Sequence, residues 1–315
     1  MRTDQLLSAA LAGDQRSLAQ LATLLERGGS PAVELHALLP VPQNPSHVVG
    51  LTGPPGSGKS SLLAALATRV SDAGRSIAVI AVDPTSPLSG GATLGDRIRM
   101  SQASLLPGVF VRSVAARHHV DGLAAVIPGM TRLFAAAGFD FVVIETVGAG
   151  QNQFSIIDYA HTLVLVEAPG AGDSVQMLKA GIMELADIYV VTKGDLPGAH
   201  RVSRDLKGTM GLAGRGNDWT PPVIVTSAET GEGVEELIRN LDRHMDWLKD
   251  SGQLAVKEAA MVRGAVRAAL SSMIDPLIGE PAFEDLARDL IEHRLTPAEA
   301  AAIILRRAAE LTAPG

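Results

Sequence analysis

Short apolar runs recur through the middle of the chain, and segments with helical spacing separate them. Runs of this kind are typical of buried strands. We predict strands over residues 47–52, 77–82, 109–113, 139–144, 163–166, 188–191 and 223–226. Because strands and helices alternate, the pattern predicts an α/β fold with a mostly parallel sheet and helices on both of its faces.

The amino-terminal part of the chain has the apolar spacing of helices. We predict helices over residues 4–11 and 16–26, followed by a boundary at Pro40 and Pro42. The second helix carries an apolar stripe formed by Leu18, Leu21, Leu24 and Leu25. We interpret this stripe as a packing face, with a partner-binding face as the alternative.

The chain after Gly252 is predicted to be helical again. Its apolar stripe consists of Ala255, Ala259, Val262, Val266, Leu270 and Met273. This stripe either forms a dimer interface or packs on the central part of the same chain. We expect Pro276, Pro281 and Pro297 to separate further helices.

A phosphate-binding loop follows the first predicted strand. The pattern G-x-x-x-x-G-K-S, with one further serine, is formed by Gly53, Pro54, Pro55, Gly56, Ser57, Gly58, Lys59, Ser60 and Ser61. A strand before it and a helix after it give the context that this motif requires. Backbone N–H groups and the helix N-terminus would face a polyphosphate. Lys59 is expected to reach the β- and γ-phosphates, and the Ser60 hydroxyl is expected to ligate Mg²⁺.

A second motif begins where the apolar strand over residues 139–144 ends. Glu145 follows the strand directly, and we expect its carboxylate to hold Mg²⁺ directly or through water. The Gly148 amide is expected to contact the γ-phosphate. Gln151 is a candidate for orienting the attacking water. The alternative for Glu145 is a helix cap.

The strand over residues 188–191 leads into a segment that resembles the guanine-recognition motif N-K-x-D. Thr192 takes the place of the asparagine, and Lys193 and Asp195 match the motif. An aspartate accepts two hydrogen bonds from the N1 and N2 edge of guanine, which adenine cannot donate. Ser227, Ala228 and Glu229 follow the last predicted strand, where a backbone amide would read guanine O6. Guanine nucleotides are therefore predicted.

A polar loop over residues 83–96 follows the second strand. It offers the Asp83 and Asp96 carboxylates and several hydroxyls to Mg²⁺ or the γ-phosphate, although turn and cap roles are equally open. His118 and His119 form a histidine pair further on. Adjacent residues of an extended segment point to opposite sides, so the pair does not favour a metal site.

Composition narrows the classes of partner. The chain of 315 residues has a net charge of −7 and no cysteine. An acidic balance argues against nonspecific nucleic-acid binding, and the lack of thiols excludes disulfides and thiolate metal sites. We find neither an apolar run long enough for a membrane span nor a secretory signal, so we expect a cytoplasmic protein.

The order of these motifs resembles the MeaB/ArgK family, the GTPases associated with methylmalonyl-CoA mutase. The resemblance rests on GPPGSGKSS, VDPTSPLSGGATLGDRIRM, ETVGAGQ, VVTKGD and TSAETGEG and covers about residues 14–250. It implies a P-loop GTPase domain over 43–250, an N-terminal helical extension over 1–42 and a C-terminal dimerisation region over 251–315. It also implies Asp83, Asp96 and Glu145 near Mg²⁺.

The functional expectation also comes from this resemblance. Such proteins hydrolyse GTP to GDP and act as chaperones that guard loading of adenosylcobalamin on an acyl-CoA mutase, either methylmalonyl-CoA mutase or a close relative. The cobalamin would be bound only through this partner. The resemblance further implies a homodimer and three mobile loops, over 83–96, 148–158 and 168–179.

The sequence departs from the family pattern at two places, and two other functions are considered. Thr192 replaces the usual asparagine, and its shorter hydroxyl is expected to weaken nucleotide binding. The segment around His118 and His119 also lacks the small residues usual in the family. A metallochaperone-like NTPase would require a Cys/His cluster, and a small-molecule kinase would require a second substrate pocket.

Overall fold

The computed structural model describes residues 2–42, 44–84, 100, 102–116, 126–146, 156–170, 184–210, 218–278 and 282–312. The strands are β1 (His47–Thr52), β2 (Ile77–Pro84), β3 (Val109–Ala116), β4 (Phe141–Thr146), β5 (Thr162–Glu167), β6 (Ile188–Val191) and β7 (Val223–Val225). The helices are α1 (Thr3–Leu11), α2 (Gln15–Arg27), α3 (Ser30–Leu38), α4 (Lys59–Asp72), α5 (Ile127–Ala136), α6 (Ala199–Met210), α7 (Val234–Asp250), α8 (Gln253–Ile278), α9 (Ala282–Ile291) and α10 (Pro297–Thr312).

The seven strands form one parallel sheet in the order β3-β2-β4-β1-β5-β6-β7. The predicted α/β class and parallel sheet are therefore confirmed. Strand β1 is central, and β4 pairs with it so that Glu145 lies beside Leu51. Because all strands run in one direction, the segments that follow β1, β4, β6 and β7 meet at one edge of the sheet.

Apolar layers cover both faces of the sheet. One layer contains α1, α2, α3 and α5, and the other contains α4 and α7. Leu18, Leu21 and Leu25 of α2 are buried in the first layer, so the predicted packing face is confirmed.

The C-terminal helices form a smaller apolar cluster of their own, with buried Leu277, Leu286 and Ile304. Ala268 of α8 lies in the core beside the sheet. The predicted apolar stripe of α8 lies on the outer side, since Val262, Val266 and Leu270 are exposed. The stripe therefore does not pack on the central part of the same chain.

Several element boundaries differ from the prediction. Helix α6 was not predicted, and α3 was not predicted as a separate helix, although it lies within the N-terminal helical extension expected over 1–42. Pro276 does not end α8, which continues to Ile278, because a proline in the last turn removes only one backbone hydrogen bond. Pro297 begins α10, as expected for a proline at a helix start.

Helix α5 begins at Ile127, and residues 117–125 lie outside the described ranges. Among the described residues, no helix is both long enough and apolar enough to cross a bilayer.

Candidate nucleotide site

The phosphate-binding loop joins β1 to α4 and packs against the neighbouring strand β5. Gly53 has a φ of 153°, and a Cβ there would lie 2.1 Å from the Val166 carbonyl oxygen. Gly58 caps α4 in the left-handed conformation, with a φ of 84°. A side chain at either position would displace the loop. The sequence therefore folds this loop tightly around the N-terminus of α4.

Lys59 lies over the loop that precedes it. Its Nζ donates hydrogen bonds to the carbonyl oxygens of Gly53 at 2.8 Å and Pro54 at 2.9 Å, and the side chain is buried. The ammonium group is thus held at the first turn of α4, where a bound anion is also stabilised by the helix dipole. A phosphate oxygen could replace either carbonyl as its acceptor.

Ser60 and Glu145 meet across the β1–β4 pair. The Ser60 hydroxyl donates to Glu145 Oε1 at 2.9 Å, and both side chains are buried. The Thr146 hydroxyl contacts the Thr52 hydroxyl at 3.2 Å just beside them. A hydroxyl and a carboxylate are oxygen ligands of the kind that Mg²⁺ prefers, so this pair fits a Mg²⁺ site.

The remaining predicted ligands are only partly described. Asp83 lies at the end of β2, where its backbone pairs with Ala115 of β3. The Asp83 side chain lies outside the described part of the structure, as do Asp96, Gly148 and Gln151. Most of the three predicted mobile loops falls there as well.

The guanine-recognition residues assemble beside the phosphate loop. The Ser227 hydroxyl donates to Asp195 Oδ1 at 2.6 Å, and this hydrogen bond lowers the pKa of the Asp195 carboxyl. The Gly194 amide donates to the Thr226 carbonyl at 2.9 Å, which joins the segments after β6 and β7. Asp195 is therefore held ionised, as an acceptor of hydrogen bonds from a base must be. Ala228 and Glu229 follow on the exposed side.

Thr192 and Lys193 connect these segments to the phosphate loop. The Thr192 hydroxyl lies against the Ser57 carbonyl oxygen and is 3.0 Å from the Glu167 carbonyl oxygen. The Lys193 Nζ donates to the Gly56 carbonyl at 2.9 Å. The threonine hydroxyl therefore contacts the phosphate loop, and its effect on nucleotide binding stays a prediction.

Glu167 was missed in the sequence analysis. It ends β5, its side chain is buried, and its carbonyl oxygen accepts a hydrogen bond from the Thr192 amide and lies 3.0 Å from the Thr192 hydroxyl. The signal was present, since Glu167 follows an apolar strand in the same way as Glu145 does. Its carbonyl contact could not be read from side-chain chemistry.

The profile of the methylmalonyl-CoA mutase-associated GTPase MeaB family matches residues 18–279. The chain belongs to the MeaB family. Among related proteins, one from Pyrococcus horikoshii, named as a candidate GTPase, is 40% identical over 310 residues, which cover 96% of this chain and 98% of that relative. The resemblance seen in the motifs is therefore confirmed.

Two further similarities are to a mouse protein and to a solved structure. The mouse mitochondrial protein named methylmalonic aciduria type A homolog is 35% identical over 213 residues, which cover 66% of this chain and 51% of the mouse protein. A crystal structure described as a LAO/AO transport system kinase matches with a TM-score of 0.72 at 23% identity, covering 98% of this chain and 97% of that one. This structural likeness shows the shared P-loop fold.

The family assignment agrees with the chemistry of the site. The family model and the Pyrococcus horikoshii relative are both named as GTPases, which is consistent with the guanine motif at Asp195. In the described ranges, no group of three or more metal-ligating side chains occurs. His118 and His119 lie outside those ranges.

Proposed function

We propose that this MeaB protein binds GTP and GDP with Mg²⁺ and hydrolyses GTP. The proposal rests on one observation: the residues predicted to bind the phosphates and those predicted to bind the base lie at the same edge of the sheet. Lys59, Ser60 and Glu145 form the phosphate half, and Asp195 with Ser227 forms the base half. Thr192 joins the two halves through the Ser57 carbonyl.

Each residue of the phosphate half has a distinct role in this proposal. Lys59 neutralises charge that develops on the β- and γ-phosphates. Ser60 and Glu145 hold the Mg²⁺, together with Asp83 and Asp96 from the loop over 83–96. The ion would screen the phosphate charges.

The loop that follows β4 supplies the remaining groups. The Gly148 amide contacts the γ-phosphate, and Gln151 orients the attacking water. These two assignments rest on the E-T-V-G-x-G-Q motif.

The partner that we propose is an adenosylcobalamin-dependent acyl-CoA mutase. The support is the family name, which refers to methylmalonyl-CoA mutase, and the name of the mouse relative, which refers to methylmalonic aciduria. Hydrolysis would bias the conformation of the loops around the γ-phosphate, and a partner that prefers one conformation would alter turnover. Cobalamin would enter only through this mutase.

We further propose a homodimer that forms through α8. The support is the exposed apolar stripe, in which Val262 is 62% exposed, Val266 is 55% exposed and Leu270 is 48% exposed. Three such side chains along one helix form a continuous apolar surface, which is unusual for a face that stays in water.

The test of the function is steady-state phosphate release with GTP and with ATP. We expect slow hydrolysis of GTP alone, much slower hydrolysis of ATP, and several-fold faster GTP hydrolysis when the cognate mutase is added. Lys59→Ala should remove both the basal and the stimulated activity.

Equal turnover of ATP and GTP would contradict the base assignment. An unchanged GTPase rate, together with no effect of GTP on cofactor transfer to the mutase, would leave a GTPase without the chaperone role.

A further inference from the structure

A short segment of the chain is clamped between β1 and α8. Residues 156–160, which we name the clamped segment, contain the 3₁₀ turn Ile156–Tyr159. On the side of β1, a Cβ at Gly50 would lie 2.9 Å from Ile156 Cγ1 and 3.2 Å from Ala160 Cβ. Contacts this short are not tolerated by a real side chain, so only glycine allows the segment to lie so close to β1.

The opposite side of the clamped segment is held by α8 in a similar way. A Cβ at Gly264 would lie 2.9 Å from the Asp158 carbonyl oxygen and 3.2 Å from Tyr159 Cε1. Arg267, one turn further along α8, forms an ion pair with Asp158 at 3.4 Å. A helix interior normally disfavours glycine, so Gly264 has a packing reason to be there.

Gly50 of β1 and Gly264 of α8 lie on opposite sides of the clamped segment, so β1 and α8 are separated only by this segment. Gly50 lies in β1, three residues before the phosphate loop begins at Gly53. The clamped segment is the first described part of the chain after β4, whose Glu145 contacts Ser60. The segment is thus bound on one side to the strand that carries the phosphate loop and on the other to α8.

We propose that the clamped segment couples the nucleotide site to α8, so that Gly264 is a positioning residue for GTP hydrolysis. The proposal rests on nucleotide binding at the phosphate loop. A close-packed contact without free space transmits small shifts, because neither side can absorb them by compression. By reciprocity, a molecule that binds the exposed side of α8 more tightly in one nucleotide state than in the other alters nucleotide affinity.

Helix α8 contacts the clamped segment with one face and exposes the opposite face. At 100° per residue, Gly264 and Ala268 lie on one side of the helix and Val262 and Val266 lie on the other. The first pair is buried and the second is exposed. One face of α8 therefore packs on the clamped segment and would move with it, while the other face is exposed and can bind another chain.

The first experiment uses the unaltered protein. Hydrogen–deuterium exchange is compared between the GDP-bound form and the form bound to a non-hydrolysable GTP analogue. We expect amides of α8 around Gly264 to differ in exchange rate by about threefold or more, while amides of α7 remain unchanged. Identical exchange of α8 in both forms would overturn the proposal.

The second experiment compares two glycine-to-alanine variants. Gly264→Ala places a methyl group into the clamped segment, and we expect its GTP hydrolysis rate to change by about threefold or more. Gly208→Ala on α6 is the matched control, since a Cβ there meets no atom within 4 Å. It should keep the wild-type rate. A folded Gly264→Ala variant with wild-type kinetics would also overturn the proposal.

The two proposals fail in different ways. If calorimetry detects no GDP binding by the unaltered protein, the proposed function fails. If GDP and GTP bind normally but neither the exchange of α8 nor the Gly264→Ala rate changes, only the coupling fails. Tyr159→Phe, which removes the hydroxyl 3.5 Å from the Gly264 carbonyl, serves as a mild variant if Gly264→Ala does not fold. If the GTP hydrolysis rate rises in Gly264→Ala it should also rise in Tyr159→Phe, and if it falls in one it should fall in the other.

Discussion

Thr192 shows how a short side chain can do the work of a longer one. The guanine-recognition motif usually has an asparagine at this position, and the spacing of the motif does not predict that a threonine hydroxyl reaches the phosphate loop. The close approach of Gly58, whose Cβ would lie 3.3 Å from Thr192 Oγ1, explains how it does. Because the phosphate loop and the end of β5 both lie close to Thr192, its one hydroxyl is within hydrogen-bond distance of the Ser57 and Glu167 carbonyl oxygens.

Replacement of Thr192 tests this contact directly. Thr192→Val keeps the shape of the side chain and removes the donor, which leaves the Ser57 carbonyl without it. We expect GDP affinity to fall about tenfold, as for a lost buried hydrogen bond, while Thr192→Ser stays within about twofold. Isothermal titration calorimetry with GDP makes the comparison. Wild-type affinity of the valine variant would mean that the brace does not support the nucleotide site.

The predictability of individual site residues follows from their spacing. The meeting of Lys59, Ser60 and Glu145 could be predicted from the sequence because a tight loop and a strand end fix where they lie, while their roles stay predictions. Asp195 could be assigned for the same reason. The role of the Glu167 carbonyl could not, because every residue has a carbonyl and only the packing of β5 against β6 selects this one.

At the scale of elements, the amino-terminal helices are tied to the edge of the sheet by one arginine. Arg112 of β3 donates to Glu26 at 2.6 and 2.8 Å and to the Thr23 hydroxyl at 3.0 Å. Both partners belong to α2. Because the guanidinium is only 21% exposed, water screens this pair less than a surface pair.

Removal of this pair should destabilise the chain measurably. We expect Arg112→Ala to lower the free energy of unfolding by about 1–3 kcal/mol, since Glu26 is left partly buried. Arg201→Ala is the control, because its pair with Asp205 is 81% and 73% exposed and should change stability by less than about 0.5 kcal/mol. Urea unfolding measures both. Equal effects of the two substitutions would contradict the interpretation.

The two missed helices differ in the signal that they carry. Helix α3 is short, begins at a Ser-Pro pair and has little helical periodicity in its apolar residues, so packing against its neighbours decides its structure. Helix α6 has an apolar face with helical spacing, since Ala199, Val202 and Leu206 lie three and four residues apart, so its signal was present in the sequence. The strands were predictable because each is apolar on both faces.

At the scale of the molecule, three histidines are buried at the sheet edge opposite the nucleotide site. The Thr162 hydroxyl lies 2.6 Å from His47 Nε2 and 2.7 Å from His244 Nδ1. The Val48 amide donates to His161 Nδ1 at 3.0 Å. Burial, followed by the charge of Lys257 and the nearness of His244, lowers the pKa of His161 to about 4. Burial also lowers the pKa of His47 well below its usual value.

These histidines make the fold sensitive to acid. His161 stays neutral in the folded chain but is protonated near pH 6.5 when unfolded, so its contribution is complete above pH 6.5 and is lost as the pH falls toward 4. From this group alone we expect the free energy of unfolding to drop by about 2.5 kcal/mol between pH 7 and pH 4.5.

Urea titrations at the two pH values measure this drop. His161→Asn retains an acceptor for the Val48 amide and should show a correspondingly smaller drop than the wild type, which separates the effect from that of titrating carboxylates. The same pH dependence in both proteins would contradict the assignment to His161.

The proposed dimer is tested on the full-length chain. Val262→Glu combined with Val266→Glu places two charges on the exposed side of α8, and we expect the protein to become monomeric while it stays folded. Val33→Glu on α3 is the control, since Val33 is 69% exposed outside this surface. Light scattering gives the mass of each. A wild-type monomer, or a dimer that survives both charges, would rule out this interface.

Strand β1 lies in the middle of the sheet and separates the part of the proposed site that would bind the phosphates from the part that would bind the base. Strands β2 and β4 lie on one side of β1 and contain Asp83 and Glu145, the acids that we propose for Mg²⁺, whereas β6 and β7 lie on the other side and lead to the residues that we propose for the base. Thr192 and Lys193 form the joint between the halves. Base preference can therefore be altered in an engineered or diverging lineage by changes on one half-sheet, while the hydrolytic half is inherited unchanged.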